Sequence, residues 1–233
     1  MLGRMPNRPS PPQNEAELWS RARELVGMTL AELAADDGCA APDKLLHAKG
    51  WTGQLLERRL GATAGSKDEP DFQDLGIELK TIPVDRSGRP CESTFVCTIP
   101  LLDVAVTEWE RSRVHRKLQR VLWMVVEGTR DIPVAERRIG SPLLWSPDAE
   151  ENALLKQDWD ELAGLIGRGE IESITGHLGQ VMQVRPKAAN AQARRVGFDE
   201  EGVAVSQMPR GFYLRATFTG SILQRAFVMP QRH

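Results

Sequence analysis

Apolar positions along the chain change their period several times, and each change marks an element. Helical spacing from Glu15 to about Val26 predicts an amphipathic helix, opened by Asn14 and Glu17 in a capping-box arrangement. A second helix is predicted from Thr29 to Ala35, after Gly27, and a third from Trp51 to Leu60, stopped by Gly61. Small and polar residues from Ala62 to Pro70 read as a loop. The period then shortens to two: Leu75, Ile77 and Leu79 alternate with Gly76, Glu78 and Lys80, predicting a half-buried strand from Leu75 to Ile82. Phe95 to Ile99 and Val121 to Val126 are short apolar strands. Ser146-Pro147-Asp148 predicts a helix start with the proline in the first turn, the helix running to about Ile166. Strands are predicted at Val181 to Arg185 and Phe212 to Phe218, and a last short helix from Ser221 to Phe227. The proline-rich start, residues 1–13, reads as a disordered lead-in, and no internal repeat follows. This order of elements predicts a mixed α/β (α+β) fold with a central sheet.

Composition narrows the function classes. At 233 residues the chain can bury a core as one large domain or as two lobes. Its longest apolar stretch, Val121 to Val126, is far below the roughly 20 residues that cross a bilayer. The N-terminus lacks the apolar core of a signal peptide, so a cytoplasmic location is expected. Cys39, Cys91 and Cys97 have no CxxC spacing, which favours reduced thiols over a disulfide framework or zinc knuckle. His47, His115, His177 and His233 have no metal-ligand spacing, and the six tryptophans are scattered as core residues are. No GxxxxGK loop precedes a helix, which argues against ATP hydrolysis.

Net charge is −2, but its distribution is uneven. Ser173 to His233 carries eight Lys or Arg against three consecutive acids, Asp199, Glu200 and Glu201, leaving −7 for the rest. Within that acidic part, Arg111, Arg113, Arg116, Lys117 and Arg120 form one dense basic stretch. Such a pattern suits either a local grip on a polyanion or an ordinary solvated face.

Candidate chemistry lies in Glu69-Pro70-Asp71-Phe72-Gln73-Asp74-Leu75-Gly76-Ile77-Glu78-Leu79-Lys80. Side chains two apart on a strand point the same way, so Glu78 and Lys80 share a face while Leu79 faces the core. Asp71, at or before the strand's start, converges on Glu78 through a turn. Two neighbouring carboxylates repel unless a cation lies between them, and an all-oxygen set selects Mg²⁺, with the main-chain carbonyl of Leu79 as a further ligand. Lys80 can orient or deprotonate water and offset phosphate charge, completing the parts for metal-assisted phosphodiester hydrolysis. A salt-bridged surface strand would show the same spacing.

Pro-Asp followed by Glu-x-Lys resembles the PD-(D/E)xK nuclease superfamily. The flanking blocks sharpen this: Lys49-Gly50-Trp51-Thr52-Gly53, Leu55-Leu56-Glu57, Ala64-Gly65-Ser66-Lys67, Thr94-Phe95-Val96-Cys97, Arg120-Val121-Leu122-Trp123, Gly140 to Pro147, Arg185-Pro186-Lys187-Ala188-Ala189-Asn190 and Pro209 to Leu214. In family order from Lys49 to Leu214, they resemble the MutH family.

That resemblance implies a restriction-endonuclease-like mixed central sheet flanked by helices, in two lobes around a DNA-binding cleft. The lobe with the metal site would span about 14–147 and the DNA-contacting lobe about 148–233, within one endonuclease domain, 14–233. Asp71, Glu78 and Glu57 would be the acidic residues of the metal site, Lys80 the catalytic lysine and Lys117 a further active-site lysine. Without the resemblance, Glu57 reads as an exposed helical glutamate. Arg185, Lys187, Arg210, Gly211 and Tyr213 would contact DNA, consistent with the use of Arg and Lys on phosphates and guanine edges. Tyr213 reads equally as a half-buried strand aromatic, and Phe95 as core with a possible place near DNA. The implied activity is a monomeric, Mg²⁺-dependent nick of the unmethylated strand 5′ of G at hemimethylated GATC sites, with Mn²⁺ or Ca²⁺ able to substitute in binding. It would be switched on by a MutL-type partner, itself acting after a MutS-type protein. A type II GATC restriction endonuclease and a non-catalytic DNA-binding module of the same fold are the alternatives.

Overall fold

The structure, a computed structural model, describes residues 9–43, 50–65, 68–101, 103–187, 195–198 and 203–227. In chain order the helices are α1 (Glu15–Glu24), α2 (Leu30–Asp36), α3 (Trp51–Leu60), α4 (Arg113–Leu118), α5 (Ala149–Gly167) and α6 (Ala216–Phe227). The strands are β1 (Glu78–Val84), β2 (Thr94–Thr98), β3 (Val121–Glu127), β4 (Ile139–Trp145), β5 (Met182–Pro186), β6 (Arg195–Phe198), β7 (Ala204–Gln207) and β8 (Arg210–Leu214). The mixed α/β class read from the sequence is the class observed.

The chain folds as two compact units, each made of more than one stretch of the chain. One contains Met1–Glu92, Arg120–Ser146 and Ile222–His233; the other contains Ser93–Gln119 and Pro147–Ser221. Residues 1–8 of the expected lead-in lie outside the described residues. Its remainder has no regular structure, yet Pro12 is buried and the Ser10 carbonyl accepts a hydrogen bond from Arg21 Nη1 at 2.7 Å.

The first unit holds a mixed sheet in the order β1-β3-β4, with β1 parallel to β3 and β4 antiparallel to it. As the middle strand, β3 is covered on both faces, which is why Val121 to Val126 reads as a continuous apolar run. Leu18, Leu33, Leu55, Leu56, Leu79, Leu122 and Met124 join in one core against this sheet. Caps hold the helices at their starts. Thr29 and Glu32 form a reciprocal capping box on α2. On α1 the box is shifted by one residue: Asn14 accepts from the Glu17 N–H, but the Glu17 carboxylate reaches back to Gln13 rather than to Asn14.

The second unit holds an antiparallel sheet, β2-β8-β5, and a separate ribbon of β6 and β7. Several boundaries differ from those read in the sequence, among them the start of the last helix, at Ala216 rather than Ser221. β1 starts at Glu78 rather than Leu75, because Gln73–Leu75 forms a 3₁₀ turn that ends in left-handed Gly76. Pro147 lies outside α5, whose cap is Asp148 in a reciprocal box with Glu151. β8 ends at Leu214, and Phe218 is the third residue of α6 rather than part of a strand.

Two opposite charges fix the loop that leads into β5. Asp158 of α5, buried, accepts from the N–H groups of Gln180, Val181 and Met182 at 2.8, 2.7 and 2.7 Å. Arg215 donates to the carbonyls of Gly176, Leu178 and Gly179 at 2.8–3.0 Å. Asp158→Asn leaves one acceptor oxygen for three N–H groups, so that at least one of them faces the new amide instead of a carboxylate oxygen. It is expected to lower stability by about 2 kcal/mol in chemical denaturation. A loss within experimental error would show that the carboxylate does not hold this loop.

Candidate active site

Asp71 reaches the start of β1 because the chain doubles back on itself. Phe72 and Ile77 form an antiparallel bridge, and the 3₁₀ turn between them closes through Gly76, whose φ of 65° suits glycine. The main-chain carbonyl of Asp71 accepts from the N–H groups of Thr63 and Ala64, at 2.9 and 3.3 Å. Its side chain turns the other way, and Oδ2 accepts from the Leu79 N–H at 2.8 Å. The Glu78 N–H donates to the Arg120 carbonyl at 2.9 Å, tying the start of β1 to the start of β3. A separation of seven residues thus becomes adjacency.

Both carboxylates are withdrawn from solvent, Asp71 being 8% exposed and Glu78 2%. Glu78 was expected on the face opposite the core, yet it is buried together with Leu79, because β1 is covered on both sides. Burial pushes the Asp71 carboxyl up to about 6, and the nearby Glu78 adds to this. Lys80 and the Leu79 N–H pull it back down, while Glu57 raises it further. Glu57 therefore acts electrostatically on this site from the last turn of α3. Lys80 Nζ lies 2.6 Å from Glu78 Oε1.

The donor set suits a hard cation. Asp71, Glu78 and Glu57 are oxygen donors whose mutual repulsion a divalent ion would relieve. Among the described residues, no three His, Cys, Asp or Glu side chains form a ready-made metal cage. Two carboxylates and the main-chain carbonyl of Leu79 match Mg²⁺, which keeps several waters and takes few protein ligands.

The other expected residues belong to the second unit. Lys117 is half-buried on α4, a six-residue helix capped by Ser112. Arg185 at the end of β5 pairs in register with Gly211 of β8, and Tyr213 of β8 lies between Phe95 of β2 and Gln183 of β5. The Tyr213 and Phe95 rings meet edge to face, with centroids 5.3 Å apart. Arg185 lies 5.9 Å over the Tyr213 ring and donates to Ser93 Oγ, and Lys187 Nζ sits 3.3 Å over the Phe95 ring. Arg210 pairs with Glu172 at 2.6 Å. Phe95, expected as core, is half-exposed and serves as a shelf for Lys187. Gly211 is confined from within the protein: a Cβ there would come 2.7 Å from the Phe95 ring and 3.0 Å from the Cys97 carbonyl.

Ser93, Glu172 and Thr63 support these side chains or their main chain, and none stood out in the sequence. Ser93 and Glu172 are joined to their partners across 92 and 38 positions of chain, beyond any local pattern. Of the histidines, His115 packs on Trp109 and His177 is exposed, whereas His47 and His233 lie outside the described residues. Also outside are Lys49, Ser66, Lys67 and Ala188 to Asn190 of the resembling blocks.

No helix among the described residues is long and apolar enough to cross a membrane. Residues 60–158 match the family described as "DNA mismatch repair enzyme MutH", a span that contains Asp71, Glu78, Lys80 and Lys117. The chain is 54% identical over 219 residues to the DNA mismatch repair protein MutH of Serratia proteamaculans, covering 94% of this chain and 96% of that protein. It is 53% identical over 221 residues to the protein of the same name from Yersinia enterocolitica, covering 95% and 97%. For that of Shewanella oneidensis the identity is 52% over 217 residues, covering 93% and 97%. At this identity over nearly the full length of both partners, the chain belongs to the MutH family of DNA mismatch repair endonucleases.

Proposed function

We propose that this endonuclease nicks the unmethylated strand of duplex DNA 5′ of G at hemimethylated GATC sites, using Mg²⁺, and that a MutL-type partner activates it. The observation that carries the chemistry is the convergence of Asp71, Glu78 and Lys80 at the start of one strand. The cofactor and the sequence read rest on this donor set together with family membership.

In this reading Asp71, Glu78 and the Leu79 carbonyl hold the ion, with Glu57 contributing from α3. The ion, when bound, would supply positive charge to the scissile phosphate and lower the pKa of an attacking water. Asp71 is set for this by its main chain: the carbonyl is held by Thr63 and Ala64, and Oδ2 by the Leu79 N–H. Oδ1 of Asp71 is then the oxygen left for a ligand. Lys80 brings a cation to the same place, able to orient water and to offset phosphate charge. Lys117, half-buried on α4, would supply a further cation for DNA phosphate.

Recognition would fall to the β5 and β8 strands, where Arg185, Lys187, Arg210 and Tyr213 stand together around Gly211. Arg185 and Lys187 sit over aromatic rings, which limits their freedom and reduces the entropy lost on binding DNA. Tyr213 would lie at a base edge near the adenine methyl position.

The test is nicking of a supercoiled plasmid with a single GATC site in Mg²⁺, with and without a MutL-type protein. The plasmid is prepared unmethylated, hemimethylated and fully methylated. Nicks confined to the unmethylated strand and faster with the partner are expected. Double-strand cuts without a partner would identify a restriction enzyme, and DNA binding without cleavage in Mg²⁺ or Mn²⁺ a binding module.

A further inference from the structure

Arg210, the first residue of β8, is held by an opposite charge. Its Nη2 donates to Glu172 Oε2 at 2.6 Å, across 38 positions of chain within one compact unit. The two members differ in exposure, the Arg210 side chain being 12% exposed and that of Glu172 72%. Glu172 is fixed in place by its surroundings. It stands on a 3₁₀ turn, Glu170–Ser173, in which Ile171 is buried and the Ser173 hydroxyl donates to the Glu170 carbonyl at 2.6 Å. Arg210 is fixed as well: it pairs in register with Pro186 of β5, and the Lys187 N–H donates to the neighbouring Pro209 carbonyl at 2.7 Å. A carboxylate is thus attached to the strands that carry Arg185, Lys187 and Tyr213, where an anionic ligand is expected.

We propose that Glu172 is a specificity-determining residue, whose carboxylate occupies Arg210 until a GATC site offers it a better partner and so disfavours other DNA. This rests on the recognition reading of β5 and β8 under the proposed function. Phosphates are the same at every sequence and supply most of the affinity for non-specific DNA. A phosphate approaching Arg210 meets a carboxylate already there, and like charges repel. At a GATC site the guanidinium exchanges that carboxylate for a DNA acceptor fixed in register, and Glu172 turns to water. The exchange costs little, because Glu172 is already largely solvated and exposed ion pairs are weak. DNA without the fixed acceptor leaves the pair closed and loses one phosphate contact.

The test is a fluorescence binding titration of the full-length protein, with Ca²⁺ in place of Mg²⁺ so that binding is read rather than cleavage. Two duplexes of equal length are compared, one with a hemimethylated GATC site and one without GATC. Glu172→Gln is expected to tighten binding of the duplex without GATC about fivefold, and of the GATC duplex less than about twofold. For the duplex without GATC, the slope of log affinity against log salt should steepen by about one phosphate contact. Glu172→Asp, which keeps the charge, should stay within about twofold of wild type on both duplexes. Equal tightening of both by Glu172→Gln overturns the proposal, since it would show only a general loss of negative charge. Weaker binding of both would make Glu172 a support for Arg210, and unchanged binding an ordinary solvated pair; either result overturns it too. Arg210→Gln separates the proposal from the recognition reading beneath it, and should weaken the GATC duplex at least about fivefold. If it leaves GATC binding unchanged, Arg210 does not meet DNA and both readings fall. If it weakens GATC binding while Glu172→Gln changes nothing, only the proposal falls.

Discussion

Glu78→Gln is expected to lower the single-turnover nicking rate at least about a thousandfold, some 4 kcal/mol of transition-state stabilisation. DNA affinity should stay within about threefold, because the residues proposed to contact DNA lie on β5 and β8. Glutamine is the informative choice. Alanine would remove the carboxylate beside half-buried Lys80 and open a cavity at a nearly fully buried position, and the fold could suffer by several kcal/mol. Glutamine keeps the shape and a hydrogen-bond acceptor for Lys80 and removes the charge a metal ion needs. Rapid-quench nicking alongside a fluorescence binding titration separates the two effects. A variant that nicks within about tenfold of wild type would remove Glu78 from the chemistry.

Asp71→Asn is expected to abolish nicking to a similar extent while making the metal-free protein more stable. Asp71 is raised to about 6 from the ordinary 3.8, first by burial and then by Glu78. A carboxyl raised in the folded state holds its proton there more firmly than in the unfolded chain. Its contribution is therefore unfavourable above pH 6 and is relieved as the pH falls from about 6 towards about 4. Below that both states are protonated and no further gain follows. The shift corresponds to up to about 3 kcal/mol at neutral pH. Asparagine carries no charge to desolvate, and its amide oxygen can still accept from the Leu79 N–H. Thermal melts in chelator should show the variant several degrees more stable at pH 7.5, with the difference shrinking towards pH 4. A variant less stable than wild type at pH 7.5 would mean that the Leu79 hydrogen bond outweighs burial and repulsion. The expected opposition between stability and activity is the usual condition of a site built from like charges.

Much of this molecule was legible in one dimension. The stripe of α3 and the Gly61 that ends it were read to the residue, since a helix boundary depends on neighbours within one turn. The alternation around Leu79 marked a strand, and Asp71, Glu78 and Lys80 were picked out by spacing. Errors arose where a local pattern had two solutions. Phe212 to Phe218 is rich in strand-forming residues, but Arg215 turns back to cap the carbonyls of the Gly176–Gly179 loop, and the chain leaves β8 as a helix. Leu75 alternates with its neighbours as a strand residue would, yet the left-handed Gly76 closes a turn there and delays β1 to Glu78. Strand β4, Ile139–Trp145, carries Gly140 and Pro142 and gave no strand signal; its pairing with β3 makes it one.

What the sequence determined by itself was the class of fold, which depends on residue type and short spacing, and the family, which blocks along most of the chain resemble. It also offered Asp71, Glu78 and Lys80 as the candidate charged residues. Only the tertiary structure decided that Glu78 is buried as deeply as Leu79, because burial of the second face comes from neighbours distant in the chain. It also decided that Asp71 folds back onto the Leu79 N–H, that Lys80 rests on Glu78, and that Phe95 is a shelf for Lys187. These contacts set how strongly each charge feels the others, and that strength depends on distance and solvent exposure, which no linear pattern encodes.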